Sequence, residues 1–367
     1  YDSLGRIVQR VSPEGTESWI YDTAPNGIGK LHRVIGLNGY EEIYRYDSLG
    51  RNYSIDKVIN GKTYTTSQTF NQNGFVSELV YPTGLTVINL FNQHGYLSEI
   101  RRYDNRSPIW TPLIKNARGQ LESQRYGNSL VTTKTFNPNN GLVSTIKTGP
   151  SNTVQNLSFQ FDKIGNLQQR KDHIINATEN LNRLILAHVV GQTPLDIGYD
   201  ELGNIVYRSD VGDYLYGANG AGVHAVTSII NGPRANTYTY DAAGNRITSN
   251  GGSISYNSTS KPVSIVKANT ILQFGLDPNY NRVQQKVIKS GSVTEDKIYI
   301  GKTYEEITER GRVRHVHYIM ADGEAVAIIN ARPRTSSPLP IFSDRDYVTS
   351  TRYLHKDHLG SIQTITN

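Results

Sequence analysis

Apolar and polar residues mix over short stretches of this chain, and few stretches show the 3.6-residue period of a helix. Residues 76–79 (Val-Ser-Glu-Leu) and 97–100 (Leu-Ser-Glu-Ile) have the pattern of half-buried strands, bounded by Gly, Asn and Asp. The pattern therefore predicts a nearly all-β chain with helix below about 15%.

The strands are separated by a repeated unit, aromatic–Asp/Asn–x–x–Gly–polar–apolar. Its successive starts at 46, 70, 91, 115, 136 and 161 are 21 to 25 residues apart. A looser copy runs from Phe136 to Gly141, and decayed copies lie at 115–119, 178–182 and 256–260. The clear copies are Tyr1, Asp2 and Gly5; Tyr46, Asp47 and Gly50; Phe70 and Gly74; Phe91 and Gly95; Phe161, Asp162 and Gly165; Tyr199, Asp200 and Gly203; Tyr240, Asp241 and Gly244.

The residue types of the unit predict a tight hairpin turn. Asp or Asn accepts a hydrogen bond from the backbone two residues on, and Gly takes a positive φ without a Cβ clash. Such a turn, often followed by a bulge, joins two antiparallel strands. We expect positive φ at the repeat glycines and mostly buried side chains at the repeat aromatics, namely Tyr46, Phe91, Phe161, Tyr199 and Tyr240.

A period near 22 residues fits two strands of about seven residues and two turns, and stacked hairpins bury what one hairpin cannot. The fold class predicted is all-β, with antiparallel hairpin repeats stacked into a curved strip. The alternative is a set of ordinary hairpins in an unrelated β-sandwich, which has no reason to repeat the same turn chemistry.

The amino-acid composition limits which functions are compatible with this chain. Hydrophobic residues make up 37% of the chain, and 24 Tyr and 33 Gly suit a wall that is wet on one side. Cysteine is absent, which excludes disulfides, thiolate metal sites and a Cys nucleophile. The net charge of +6 is spread out, so we expect no nucleic-acid partner, and no apolar run predicts a membrane span.

Two groups of histidines contain the residue types of a metal site or a catalytic site. His315 and His317 share one face of a predicted strand, which suits a metal pair, although a polar strand face is the favoured interpretation. His355, Asp357, His358 and Ser361 contain the residue types of a triad, but their close spacing before a Leu-Gly pair favours turn and packing roles.

Three further segments depart from the repeat. The Gly-rich residues 217–222 do not open a recognisable helix, which argues against a phosphate loop. Residues 178–190 fit either a short amphipathic helix or, preferably, a strand. Residues 332–340 contain three prolines and predict a loop or edge excursion, either a solvated connector or a contact within an assembly. No catalytic, cofactor-binding or metal-binding residue is predicted, and no cofactor.

The repeated Tyr-Asp-x-x-Gly-Arg/Asn unit resembles the YD or Rhs repeats of bacterial polymorphic toxins, of the B and C components of Tc toxins, and of teneurins. Near the C-terminus, Tyr353-Leu354-His355-Lys356 is followed by a motif that resembles the opening of the bacterial Rhs-associated core. This core-segment motif is Asp357, His358, Leu359, Gly360 and Ser361.

The resemblance implies a YD/Rhs-repeat strip over 1–352 and the start of the core segment over 353–367. Family members spiral into a hollow shell that sequesters a C-terminal toxin effector. The implied partners are other segments of the same precursor or a partner shell chain, the effector, and a type VI secretion or Tc-type delivery machine. The implied localisation is secretion or delivery by bacteria after synthesis in the bacterial cytoplasm.

The resemblance gives no enzyme residues. The Asp-Pro-x-Gly-Leu type of cleavage motif is not matched, because Asp277-Pro278 is followed by Asn279 and Tyr280. The rival hypothesis is a carbohydrate- or receptor-binding adhesion module built from the same repeats. Since Tyr1 already stands inside a repeat, we expect a section of a longer polypeptide that forms a curved, open sheet.

Overall fold

The computed structural model describes residues 1–175, 177–180, 186–188, 193–334 and 347–367. Within them the regular structure is β-strand, with three short 3-10 turns at Leu37–Gly39, Pro150–Asn152 and Ala218–Gly220. The predicted all-β fold class is therefore confirmed. No helix in this part of the chain has the length and apolar character needed to cross a membrane.

The strands are short and follow one another closely. The first nine are β1 (Gln9–Ser12), β2 (Gly15–Tyr21), β3 (Leu31–Ile35), β4 (Glu41–Tyr46), β5 (Asn52–Ile59), β6 (Lys62–Phe70), β7 (Val76–Val80), β8 (Thr86–Phe91) and β9 (Leu97–Arg102). The next nine are β10 (Pro108–Lys115), β11 (Leu121–Tyr126), β12 (Val131–Phe136), β13 (Val143–Thr148), β14 (Gln155–Phe161), β15 (Leu167–Asp172), β16 (Ala177–Asn180), β17 (Leu186–His188) and β18 (Leu195–Tyr199).

The remaining strands reach the C-terminus. They are β19 (Ile205–Arg208), β20 (Gly212–Tyr216), β21 (Val226–Ile230), β22 (Asn236–Tyr240), β23 (Arg246–Ser249), β24 (Gly252–Tyr256), β25 (Pro262–Lys267), β26 (Thr270–Leu276), β27 (Arg282–Lys289), β28 (Ser292–Ile300), β29 (Tyr304–Glu309), β30 (Arg312–Ala321), β31 (Glu324–Pro333), β32 (Tyr347–Lys356) and β33 (Ile362–Thr366).

Successive strands pair antiparallel, and the register shifts at the repeat aromatic. In β4 and β5, Glu41 lies opposite Val58, and a bulge separates Arg45 from Tyr46. The same shift precedes Phe70, Phe91, Phe161, Tyr199 and Tyr240. A bulge here is what a turn that ends on a positive-φ glycine produces.

Because the strands alternate in direction, every second turn lies at the same end of the strands. We call the row of strand ends that carries the Asp/Asn-x-x-Gly turns the motif edge; the term does not refer to an edge strand. The other edge, with turns at 13–14, 36–40, 60–61, 81–85, 127–130 and 149–154, is the plain edge.

The chain divides into two compact units. Unit 1 comprises residues 1–109, 255–352 and 367. Here plain-edge turns of β5–β8 pack on β29 and β30, with Tyr64, Tyr81, Leu85, Tyr304 and Ile319 buried among them. The strip in this unit therefore packs side by side with a later part of itself.

Unit 2 comprises residues 110–254 and 353–366. Its strip buries a cluster of Ile146, Leu157 and Phe159. The C-terminal part of β32 and all of β33 pack on it, since the Tyr126 hydroxyl donates to the Leu354 carbonyl (3.3 Å). The domain boundaries predicted from the repeats, 1–352 for the repeat strip and 353–367 for the start of the core segment, remain a prediction.

Two of the predicted irregular segments become partly regular. Strand β31 continues through Arg332 and Pro333, so these two residues are strand rather than loop, and the alternative of an edge excursion stays open for them. The last residue of β31 that pairs with β30 is Ala331, so Pro333 removes no donor from that ladder. Thr335 to Pro340 lie outside the described residues. In the segment 178–190, β16 and β17 are strands as preferred, and 181–185 and 189–190 lie outside the described residues.

Candidate functional site: the repeat turns, the buried histidines and a loop cavity

The repeat turn at Asp47 shows how the motif holds its shape. The Gly50 N–H donates to the Asp47 carbonyl (2.9 Å), and the Asp47 N–H donates to the Arg51 carbonyl (3.0 Å). The Asp47 carboxylate accepts the N–H groups of Leu49 (3.0 Å) and Arg51 (2.8 Å). The side chain thus satisfies the backbone donors that the turn leaves without partners.

The same side-chain acceptor, bonded to the N–H four residues on, recurs along the whole chain. It is found at Asp2, Asn71, Asn92, Asn116, Asp162, Asp200, Asp241, Asn257, Asp277 and Asp357. The Asn245 side-chain amide and backbone N–H hold the pKa of Asp241 below its usual range. The turn chemistry predicted from sequence is therefore present, and it extends to the core-segment motif.

The repeat glycines have the predicted backbone conformation. φ is 74° at Gly5, 70° at Gly50, 80° at Gly74 and Gly95, 90° at Gly165, 89° at Gly203 and 81° at Gly244. One turn of this series, at Asp277, is not predicted by the sequence pattern, because Tyr280 (φ 61°) occupies the glycine position. Only the spacing of Asp277 from Asn281 could have signalled it.

Gly74 offers a clean test of the turn assignment. A Cβ there would meet only the Arg51 side chain, at 3.8 Å, so a substitution meets backbone strain rather than a clash. We expect Gly74→Val to lower the free energy of unfolding by more than about 1 kcal/mol, because β-branched residues resist positive φ. Urea unfolding measures this, and Gly74→Asn, which tolerates the left-handed region, is the control. Equal losses in the two variants would contradict the assignment.

The repeat aromatics are covered over most of their surface, as predicted, but none of them is fully buried. Tyr46, Phe91, Phe161, Tyr199 and Tyr240 all have intermediate exposure. They end their strands at the motif edge, where the tyrosine hydroxyls reach the preceding strand: Tyr46 donates to the Leu31 carbonyl (2.5 Å) and Tyr240 to the Val226 carbonyl (2.7 Å). The fully buried tyrosines Tyr64, Tyr81 and Tyr126 lie next to plain-edge turns instead.

The residue after the glycine links one repeat to the next. The Arg51 guanidinium bonds the Asp47 carboxylate (2.8 Å) and lies 4.2 Å from the ring centre of Phe70, the next repeat aromatic. Arg6 likewise bonds Asp2 and lies 4.4 Å from the ring of Tyr21. The repeated Arg is therefore an inter-repeat contact, a role that the sequence pattern alone did not reveal.

Removing this contact has a moderate expected effect. Arg51→Gln should lower the free energy of unfolding by about 1 kcal/mol, since a cation–π contact at a partly exposed site is worth roughly 0.5–1 kcal/mol. Arg51→Lys should recover only part of the loss, because an ammonium cannot stack as a planar guanidinium does. Thermal unfolding compares these variants with Arg125→Gln at an exposed position. A loss at Arg51 no larger than at Arg125 would refute the role.

His315 and His317 do share one face of β30, but that face is buried rather than a polar surface. The Tyr304 hydroxyl lies 2.8 Å from His315 Nδ1, and His317 Nδ1 lies 2.9 Å from the Ile329 carbonyl. His317 Nε2 lies 2.8 Å from Thr83 Oγ1, on a plain-edge turn. Burial lowers the pKa of His315 to about 4 and that of His317 to about 3.

An ion pair between the exposed Lys62 and the buried Glu306 lies beside these histidines and was not predicted. Glu306 accepts Lys62 Nζ with both oxygens (2.7 Å each) and the Tyr64 hydroxyl (2.9 Å). Lys62 follows a plain-edge turn, and Glu306 lies on β29, 244 residues later in the chain. Such a pair has no local signature in a sequence, and here it joins the two parts of the strip in unit 1.

The C-terminal candidates hold separate structural contacts. His355 Nε2 lies 2.9 Å from Thr366 Oγ1, and the His358 ring lies 4.5 Å from the Phe159 ring. Asp357 accepts the backbone N–H of Ser361 (2.9 Å) and closes the turn between β32 and β33. The geometry supports the turn and packing roles that the spacing favoured. Burial lowers the pKa of His355 to about 4.

The Gly-rich loop after β20 adjoins a cavity in unit 2. The cavity measures about 390 Å³, with residues 218–222 and 225 on one side and 238–242 and 244 on the other. A second, polar cavity of about 360 Å³ is lined by Asn137, Asn140, Leu142, Ser144, Phe159, Gln160, Phe161 and Gln168. Within the described residues, no group of three His, Asp or Glu side chains is arranged to hold a metal ion.

Comparison with known proteins rests on structure. No family model matches the chain, and no curated protein matches it. Solved structures with a similar fold include TcdB2-TccC3-TEV (TM-score 0.65, 16% identity, 98% of this chain and 21% of that one). TcdB2-TccC3 has a TM-score of 0.63 at 15% identity, over 99% and 23% of the two chains. TcdB2-TccC3-Cdc42 has a TM-score of 0.60 at 14% identity, over 98% and 23%.

The chain thus spans between a fifth and a quarter of the length of these solved chains. At such low identity the likeness shows the fold alone. The fold that the repeat predicted, antiparallel hairpins in series, is the fold of these Tc toxin structures.

Proposed function

We propose that this chain is a wall section of a YD/Rhs-repeat shell that sequesters a C-terminal toxin effector for delivery to a target cell. The observation that carries the proposal is the packing in unit 1. Plain-edge residues Lys62, Tyr81 and Thr83 contact Glu306, Tyr318 and His317, which lie 234 to 244 residues later in the chain. A strip that packs side by side with itself builds a continuous wall, as a container requires.

The wall proposal also assigns no catalysis to the chain. The candidate groups serve the fold: His315 and His317 are buried against Tyr304 and Thr83, and Asp357 holds a turn. The proposed partners are other segments of the same precursor or a partner shell chain, the enclosed effector, and a type VI or Tc-type delivery machine. The proposed route is synthesis in the bacterial cytoplasm followed by secretion or delivery.

The test is protease protection of the segment downstream of this chain in the intact precursor. We expect the downstream segment to resist cleavage in the native precursor and to be cut rapidly after unfolding. Glu306→Lys sets two cations against each other where the strip packs on itself, and should expose the segment. Glu201→Lys, on an exposed turn, is the matched control and should leave protection intact. Cleavage of the native precursor as fast as the unfolded one would reject encapsulation.

A carbohydrate- or receptor-binding module is the second candidate. One observation favours it, the cavity beside Tyr238 and Tyr240, because aromatic rings and exposed backbone groups suit a polar ligand.

A further inference from the structure

The sheet of unit 2 has a covered face and an open face. On β11–β15 the covered face carries the fully buried Ile146 and Leu157, and β32 and β33 contact this face through Gln155 and Asp172. Residues one position along each strand point the other way and form what we call the open face. It consists of the odd-numbered residues of 123–125, 131–135, 145–147 and 169–171 and the even-numbered residues of 156–160. Of these, only Ser123 is buried.

The charged side chains on the open face all have one sign. Arg125, Lys147 and Lys171 lie there, and neither Asp nor Glu occupies any position of this face. Asp172, the acid of β15, is buried on the covered face. Apart from Val131, the other residues of the open face are Ser, Thr, Asn and Gln. Basic residues that are far apart in the sequence are thus collected on one polar surface.

The three cations have no partner within the chain that the structure describes. None of them takes part there in a side-chain hydrogen bond, an ion pair or a ring contact. Their cross-strand neighbours are neutral, since Lys147 lies opposite Thr133 and Asn156, and Lys171 lies opposite Ser158. Their charges are therefore not neutralised by the sheet that carries them.

Cations on the strands of unit 1 have different surroundings. Arg33 on β3 bonds Glu41 on β4, and Arg45 on β4 bonds Asp56 on β5 (2.7 Å). Opposite charges on neighbouring strands stabilise a sheet, whereas a cation among neutral neighbours adds no such pair. The open face of unit 2 is therefore a surface whose charge is available to a molecule outside the sheet.

The cations form a diagonal row with even spacing. Lys147 lies two strands away from Arg125 and two strands away from Lys171, and the register displaces it by two residues from each. With strands about 4.8 Å apart and a rise of about 3.3 Å per residue, neighbouring Cα atoms of the row are about 12 Å apart. An extended polypeptide rises about 13 Å in four residues, and every fourth side chain points the same way. A carboxylate at every fourth residue therefore matches the row.

The composition of the face distinguishes between acidic partners. No aromatic ring lies on the open face, and single-stranded nucleic acids bind by stacking their bases on such rings. Tight binding of duplex DNA takes about 6–10 phosphate contacts, more than three cations can make. The hydroxyl and amide side chains between the cations can both donate to and accept from peptide groups. The face thus suits an extended polypeptide with spaced carboxylates.

We propose that the open face of unit 2 binds an extended acidic segment of a partner protein, whose carboxylates pair with Arg125, Lys147 and Lys171. The inference goes beyond the shell proposal and does not rest on it, because it uses none of the contacts that join the strip to itself in unit 1.

The experiment is fluorescence anisotropy with the whole chain and a labelled peptide of about 12 residues that carries Glu at every fourth position, with Ser, Thr and Gly between. A peptide of the same composition with its Glu residues adjacent is the second probe. At an ionic strength of about 0.02 M we expect the spaced peptide to bind at least about threefold more tightly than the clustered one. Binding should fall as the ionic strength rises to about 0.15 M, because salt screens exposed charges.

Removing the row tests the assignment. The triple variant Arg125→Gln, Lys147→Gln, Lys171→Gln should weaken binding of the spaced peptide by at least about tenfold, since each exposed ion pair contributes a factor of up to about five. The matched control loses three charges at exposed lysines outside the row, in the triple variant Lys163→Gln, Lys267→Gln, Lys289→Gln. This control should bind the peptide nearly as the unaltered chain does.

Several outcomes would overturn the proposal. They are no binding of the spaced peptide at low salt, equal binding of the spaced and clustered peptides, or an equal loss in the two triple variants, which would leave only an effect of net charge. Tighter binding of a single-stranded DNA or a heparin fragment of matched charge would reject the polypeptide partner. Circular dichroism of each variant separates loss of the site from loss of the fold. A negative result here leaves the protease-protection test of the shell unaffected, and the reverse also holds.

Discussion

Lowering the pH from about 7.5 to about 5 is expected to destabilise this chain by several kcal/mol. His315, His317 and His355 are buried, and burial lowers the pKa of each, to about 4, 3 and 4. In the unfolded chain a histidine has its ordinary pKa, 6.5. Between these values only the unfolded state takes up the proton, so the stability present above about pH 6.5 is lost as the pH falls.

The size of the effect follows from linkage. At pH 5 each of the three histidines costs about 2 kcal/mol, since one pKa unit corresponds to about 1.4 kcal/mol. The total approaches the net stability of a typical domain, roughly 5–15 kcal/mol. Aspartates and glutamates with lowered pKa values, such as Glu14 at about 2, are still ionised at pH 5 and do not obscure the result.

Urea unfolding at the two pH values checks this, with variants that separate the histidines. His317→Gln should reduce the pH-dependent part of the loss, because one titrating group is gone. Tyr81→Phe is the control: its ring lies 5.3 Å from His317 and it loses the bond to the Tyr318 carbonyl, but the pH dependence should persist. An unfolding midpoint that is equal at both pH values would contradict the burial of these imidazoles.

The local chemistry of the repeat could be predicted from sequence, and the long-range contacts could not. Asp47 and Gly50 act within one turn of five residues, so their types are enough to predict the hydrogen bonds and the positive φ. The Lys62–Glu306 pair depends on which part of the strip meets which, 244 residues apart. The sequence pattern predicts which residues share a face of a strand, but it does not predict which distant part of the chain packs on that face.

That limit also explains the error about the histidines. The sequence predicts a polar strand face for His315 and His317, yet a plain-edge turn with Thr83 supplies His317 with a partner and closes over it. The repeat aromatics, such as Tyr46, are covered over most of their surface, as the repeat predicts, but not completely. They lie at the motif edge, where a hydroxyl can reach a neighbouring carbonyl and part of the ring stays exposed.

Leu157→Ala should lower the free energy of unfolding by about 2–5 kcal/mol, the range for a leucine that leaves a cavity behind. Leu157 is fully buried against Ile146 and Phe159 in unit 2. The matched control is Leu202→Ala in the same unit. Leu202 lies on a motif-edge turn and is 65% exposed, so its loss should change stability by no more than about 0.5 kcal/mol. Urea unfolding measures both variants.

The contrast tests what the leucine or isoleucine before several of the turn glycines does. It is exposed in each of these turns, at Leu4, Leu49, Ile164, Leu202 and Leu359. The turn needs only the backbone N–H of this residue, as Leu49 shows with its bond to Asp47. If Leu202→Ala costs as much as Leu157→Ala, these turn tips stabilise the isolated chain. If it costs nothing, any contribution of the tips must come from contacts that the motif edge makes in the full assembly, where a wall section would meet its neighbour.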